Sequence, residues 1–185
     1  MAALPKPLAA AAAILLAPQF LAVAAVATAV VVTSVVLRNT TQTLGYQDAI
    51  SLMLQEDAPE QARMSSQATV YGDVKDSILI VQGLAREATP LASSATAALD
   101  DLRRLLAQGG AFMPQAFSHS PVQLGDQLLD TSLSDQVRSN ALQELAQELN
   151  YGVIALKGIE QSPAPAPLKL QNRVWLDSLG ELLTK

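Results

Sequence analysis

The chain has 185 residues, a formal net charge of −5 and no cysteine. That length accommodates one domain of ordinary size plus an appendage. The acidity argues against nucleic acid as a partner, since a phosphate-binding surface needs clustered lysine and arginine, and the lack of cysteine removes disulfides, thiol catalysis and thiolate metal sites.

Half of the residues are hydrophobic but only 4% are aromatic. Alanine, leucine and valine therefore carry the apolar content, a bias that suits closely packed helices better than strands. Residues 7–37 contain no ionisable side chain. A helix needs about 20 apolar residues to cross a bilayer core, and residues 20–37 (FLAVAAVATAVVVTSVVL) nearly supply them alone, with Pro18 just ahead of the first turn. Residues 1–38 therefore read as a membrane anchor embedded in the lipid bilayer. A cleavable leader competes, because Ala22-Val23-Ala24, Ala25-Val26-Ala27 and Ala27-Thr28-Ala29 fit the small-residue cleavage pattern. The apolar run that continues to Leu37 favours retention. Lys6 on one flank and Arg38 on the other leave the positive-charge count even, and the acidic remainder is assigned to the translocated side.

Residues 39–72 read as a tether with one short helix, spaced through Ala49, Ile50, Met53 and Leu54 and interrupted by Pro59. Residues 73–185 read as a helical bundle domain built from four stretches of 3.6-residue period. The first places Val74, Ile78, Val81, Leu84 and Ala85 on one face. The second runs from Pro90 through Leu91, Ala95, Leu99, Leu102 and Leu106 to a stop at Gly109-Gly110, unless Pro90 only kinks one long helix over residues 73–108. The third starts at Ser134 as N-cap and aligns Leu142, Leu145, Leu149, Val153 and Leu156. After the extended connector SPAPAP, the fourth carries Leu168, Val174, Trp175, Leu179, Leu182 and Leu183. The expected fold is thus all-α: a single N-terminal transmembrane helix followed by an antiparallel four-helix bundle.

Residues that could carry chemistry are sparse. His119 is the sole histidine and sits in a proline-flanked loop, which removes a histidine metal cluster and leaves a Ser-His-Asp site unsupported. Glu56, Asp57 and Glu60, and separately Asp100 and Asp101, read as solvated helix faces. No catalytic residue, cofactor or metal is expected. The loop over residues 109–132 is long for a bundle connection. Its apolar residues Phe112, Met113, Phe117 and Val122 are candidate partner contacts, and Trp175 is read as a core anchor with a partner-facing role as the alternative.

The segments DVKDSILIVQGL (residues 73–84), ATPLASSATAALDDLRRLL (88–106), ALQELAQELNYGVIALKGIEQS (141–162) and VWLDSLGELLTK (174–185) resemble, in order and content, the four bundle helices of the PsbQ family. That family is the small extrinsic oxygen-evolving-enhancer subunit of photosystem II. Thr89 stands where many members have tryptophan, and the loop after Gly109 is longer than in the family. The resemblance implies a non-catalytic accessory subunit at the lumenal side of the thylakoid membrane; the single-pass anchor read from residues 1–38 departs from the family, whose members are generally soluble in the lumen after their signal is removed. The subunit would stabilise photosystem II and its oxygen-evolving centre by packing against larger subunits. The alternative is a membrane-anchored helical scaffold or assembly subunit of another membrane complex: photosystem I, respiratory or secretion.

Overall fold

A computed structural model describes residues 45–108 and 119–185. These residues form six helices: α1 (Tyr46–Leu54), α2 (Glu60–Arg86), α3 (Ala92–Gln108), α4 (Pro121–Leu129), α5 (Asp135–Gln161) and α6 (Ala166–Leu183). No strand occurs among the described residues.

Each boundary has a local cause. Pro59 precedes the first turn of α2, where a missing N–H costs nothing. Beyond Arg86 the backbone turns extended at Glu87, and Pro90 prevents the helix from resuming until Ala92. The Ser120 hydroxyl accepts from the Gln123 amide while the Gln123 side chain accepts from the Ser120 amide, a capping box that starts α4 with Pro121 at its first position. The Ser134 hydroxyl accepts from the Val137 amide to start α5. Pro165 and Pro167 open α6.

α2 and α5 form the centre, and each of the other four helices packs on both. α5 shows its central place in composition: Leu145, Glu148, Leu149, Tyr151, Gly152, Val153, Ala155 and Leu156 are all buried, so the apolar stripe widens to most of its circumference. α2 and α6 run in the same direction, since Gln67 meets Leu168 and Asn172 while Gln82, farther along, meets Leu182.

The two halves repeat one plan. α1 and α4 each have 9 residues, and α2 and α5 each have 27. At one constant interval Tyr46 matches Pro121, Glu60 matches Asp135 and Arg63 matches Arg138. The buried set Tyr46, Ala49, Ile50 and Met53 matches Pro121, Leu124, Gly125 and Leu128 position for position. A shared device holds each short helix. Arg63 Nε donates to the Met53 carbonyl at 3.1 Å, and Arg138 Nε donates to the Leu128 carbonyl at 3.0 Å. Both satisfy a carbonyl in a last turn, where no backbone donor follows, and both place a cation at the negative end of a helix.

The expected architecture is corrected in two respects. Six helices, not four, make up the described unit, because α1 and α4 are integral to the core rather than part of a tether and a loop. No helix among the described residues is long and apolar enough to cross a membrane. The segment 20–37, read as the span, lies outside the described residues. The stretch read as a tether, 39–72, contains α1 and the first half of α2.

Candidate functional site

A group of interacting ionisable side chains lies where α1 packs on α2 and α5. Glu148 stands on the core-facing stripe of α5 between Leu145 and Leu149 and has 0% of its surface exposed. Its carboxylate accepts from one amide nitrogen, Gln47 Nε2, at 3.3 and 3.4 Å. Tyr46 is buried beside it, and its hydroxyl donates to the Glu148 backbone carbonyl at 3.1 Å. Gly152 makes this seat, because a Cβ there would stand 2.0 Å from Tyr46 Oη and 2.7 Å from Val74 Cγ2.

Electrostatics in this corner favour neutral forms. Burial pushes the Glu148 carboxyl up to about 7 against the hydrogen bond from Gln47, with Glu144 adding to the rise. Burial, then the neighbouring Asp76, raises Asp73 on α2 to about 6. Tyr46 is held well above its ordinary value by burial first, then by the charges of Glu148 and Asp73. Asp73 and Glu148 are counterparts in the two halves. On the outer side of α5, Glu144 pairs with His119 through Nδ1 at 2.9 Å, so the sole histidine is bound at the surface rather than free in a loop. Among the described residues no three histidine or carboxylate groups converge in a way that could hold a metal ion. Through Tyr46 and Gln47, α1 is tied directly to Glu148.

A second buried polar group fixes α6. Asn172 is fully buried, donating to the Leu156 carbonyl at 2.7 Å and to Glu160 Oε1 at 3.1 Å, and accepting from Gln67 Nε2 at 2.8 Å. One amide thereby sets the register of α6 against both central helices. At the far end Gln82 Nε2 donates to the Leu182 carbonyl at 2.8 Å and Arg103 Nε to the Leu183 carbonyl at 2.7 Å. These residues line an open cleft of about 180 Å³ with Ala85, Arg86, Thr96, Leu99 and Lys185. Gln82, Arg86 and Arg103 donate to the terminal carbonyls at the end of α6, which gives the cleft a structural explanation.

Of the expected partner contacts, Phe112, Met113 and Phe117 lie outside the described residues. Val122 projects from α4 with 58% of its surface exposed. Trp175 is half-buried and stacks on Tyr71 of α2, centroids 4.8 Å apart and planes 7° from parallel, while the Tyr71 hydroxyl donates to Ser178 Oγ at 3.0 Å. It anchors α6 to α2 and keeps one edge at the surface.

Sequence reasoning missed the other outward apolar residues. Leu129 (60% exposed), Val137 (43%), Leu170 (66%) and Val174 (59%) project from α4, α5 and α6. With Val122 they belong to the second half, and the first half contributes only Leu79 to the large hydrophobic side chains exposed among the described residues. The repeat itself could have flagged them. Val122 stands where the first half has Gln47, and Val137 where it has Ala62. In α6 the match shifts by two residues from the repeat interval: buried Ala95 pairs with Leu168 and Leu99 with Asn172, and in this register Leu170 and Val174 stand where α3 has Ala97 and Asp101.

Comparison of the chain with protein-family models, with curated proteins and with solved structures finds no match.

Proposed function

We propose that the chain is a non-catalytic accessory subunit of a photosynthetic membrane complex, a PsbQ-like helical bundle that steadies photosystem II and its oxygen-evolving centre from the lumenal side of the thylakoid. The observation that carries protein binding is the concentration of exposed large apolar side chains in the second half of the described chain. Two halves with one plan have different surfaces: Val137, Leu170 and Val174 face outward where the first half places Ala62, Ala97 and Asp101, and Val122 is exposed where Gln47 instead turns to the Glu148 carboxylate. The first half keeps small or polar residues at most of those places, so folding does not require the apolar ones, and their concentration in the second half supports a contact with another protein there. Support for the photosynthetic assignment comes from the resemblance of the four segments quoted above, each of which falls mainly within one of the long helices α2, α3, α5 and α6.

The reading assigns the partner the role of larger subunits and gives the chain no catalytic group. Its lone histidine is occupied by Glu144, and Glu148 lies beneath α1, out of reach of a substrate. The test is purification of the tagged chain from its native membranes in mild detergent. Photosystem II subunits should travel with it, and membranes depleted of it should need more added calcium and chloride to evolve oxygen. Association with photosystem I, respiratory or secretion components instead, with oxygen evolution unchanged on depletion, would replace this reading with a scaffold in another complex.

A further inference from the structure

We propose that α1 is a proton-controlled strap, fastened to the α2–α5 pair when the Glu148 carboxyl is protonated and loosened when it ionises.

The geometry starts from a carboxylate with no counter-cation among the described residues. Glu148 is fully buried, and its two oxygens share one long hydrogen-bond donor, Gln47 Nε2, supplied by α1 itself. The groups around it and around the neighbouring Tyr46 are acidic or phenolic. α1 brings Tyr46, α2 brings Asp73 with Asp76 acting on it, and α5 brings Glu144 and Tyr151. Glu144 is itself held by His119, ahead of α4. Among the described residues no lysine or arginine pairs with Glu148 or Asp73. A charge buried without a partner is stabilised by regaining water, and the cover that excludes water here is Tyr46 and Gln47 of a helix only 9 residues long.

The sign follows from burial. The Glu148 carboxyl, ordinarily near 4.5, is pushed up to about 7, so the closed form retains a proton that the open form has lost. Closure is therefore strongest below the open-form value, weakens as pH rises from there to about 7, and levels off above it. The repeat underlines the difference between the two short helices. α4 is held by the same arginine-to-carbonyl bond, but it carries Pro121 and Val122 where α1 carries Tyr46 and Gln47. Lifting α1 would uncover Val74 and the Gly152 face of α5, and would bring Ala49, Ile50 and Met53 into solvent.

Amide hydrogen exchange on the full chain at pH 5.5 and pH 8.0, corrected for intrinsic rates, tests this. Protection of α1 should fall on the order of tenfold more than that of α3 across this range, and Glu148→Gln should remove most of that difference. Parallel changes in α1 and α3 would overturn the proposal, as would an undiminished pH response in Glu148→Gln. A Glu148→Gln chain that does not fold leaves the wild-type comparison of α1 with α3 to decide.

Discussion

Gly152→Ala sets two opposite effects against each other inside one helix. Alanine is the better helix former by about 1 kcal/mol, and at an open position that gain would appear as added stability. Gly152 is not open. Its new Cβ would lie 2.0 Å from Tyr46 Oη and 2.7 Å from Val74 Cγ2. The hydroxyl is the far end of a side chain, but its ring is buried, and the Val74 methyl belongs to a β-branched residue with little rotameric freedom. Overpacking of this kind costs about 1–3 kcal/mol, and losing the Tyr46 bond to the Glu148 carbonyl adds about 1 kcal/mol. The net expectation is a loss of about 1–3 kcal/mol. Gly83→Ala is the matched control, because nothing lies within 4 Å of its Cβ position. It should gain about 0.5–1 kcal/mol. Urea unfolding monitored by circular dichroism reads both. Tyr46→Phe in the Gly152→Ala background should recover part of the loss, since the hydroxyl is the closest obstacle. If Gly152→Ala proved as stable as Gly83→Ala, the account of how α1 seats on α5 would be wrong.

Asn172→Ala should cost about 1–3 kcal/mol in the same assay, because it strips partners from the Leu156 carbonyl and from Gln67 in a dry environment. Arg63→Met and Arg138→Met should each release one short helix, seen as faster amide exchange over α1 or α4 respectively while the other is unaffected; equal loss of both helices in either variant would refute their independence. Asp73→Asn should raise the urea midpoint at pH 8 and leave it unchanged at pH 3. Burial raises this carboxyl from 3.8 to about 6, so the folded chain loses stability as pH climbs between those values.

The long helices were legible wherever core-facing positions are leucine, valine or alanine. The first half of α2 was not, because Arg63, Ser66 and Gln67 occupy its buried face and apolar period only begins at Val70. α4 hid inside a loop since it has 9 residues and Gly125 at a core position; the Ser120-Pro121 pair with Gln123 was its one local signal. Only Leu54/Leu129, Gln61/Gln136, Arg63/Arg138, Gly83/Gly158 and Pro90/Pro165 are identical at the repeat interval through the first two helices and their connections, too sparse to reveal the doubling before the helices are superimposed. Glu148 lay in plain view within LQELAQELN, yet an acid between leucines reads as solvated until α1 is folded over it. Val174 was assigned to the buried stripe of the last helix, but α6 turns Leu168, Asn172, Leu179 and Leu183 inward and leaves Val174 outside. A buried asparagine in the inward set shifts the stripe in a way hydrophobicity does not record.

In the proposed function, the second half carries the surface by which the chain joins a larger complex. The direct measurement compares two variants in rebinding to membranes depleted of the chain: Val122→Glu/Leu170→Glu/Val174→Glu, and a control, Leu79→Glu/Ala97→Glu, at exposed places in the first half. With both folded as judged by circular dichroism, the first should lose binding at least tenfold, a change of about 1.4 kcal/mol, while the control binds like the wild type. Equal binding by wild type and the second-half variant would contradict the account.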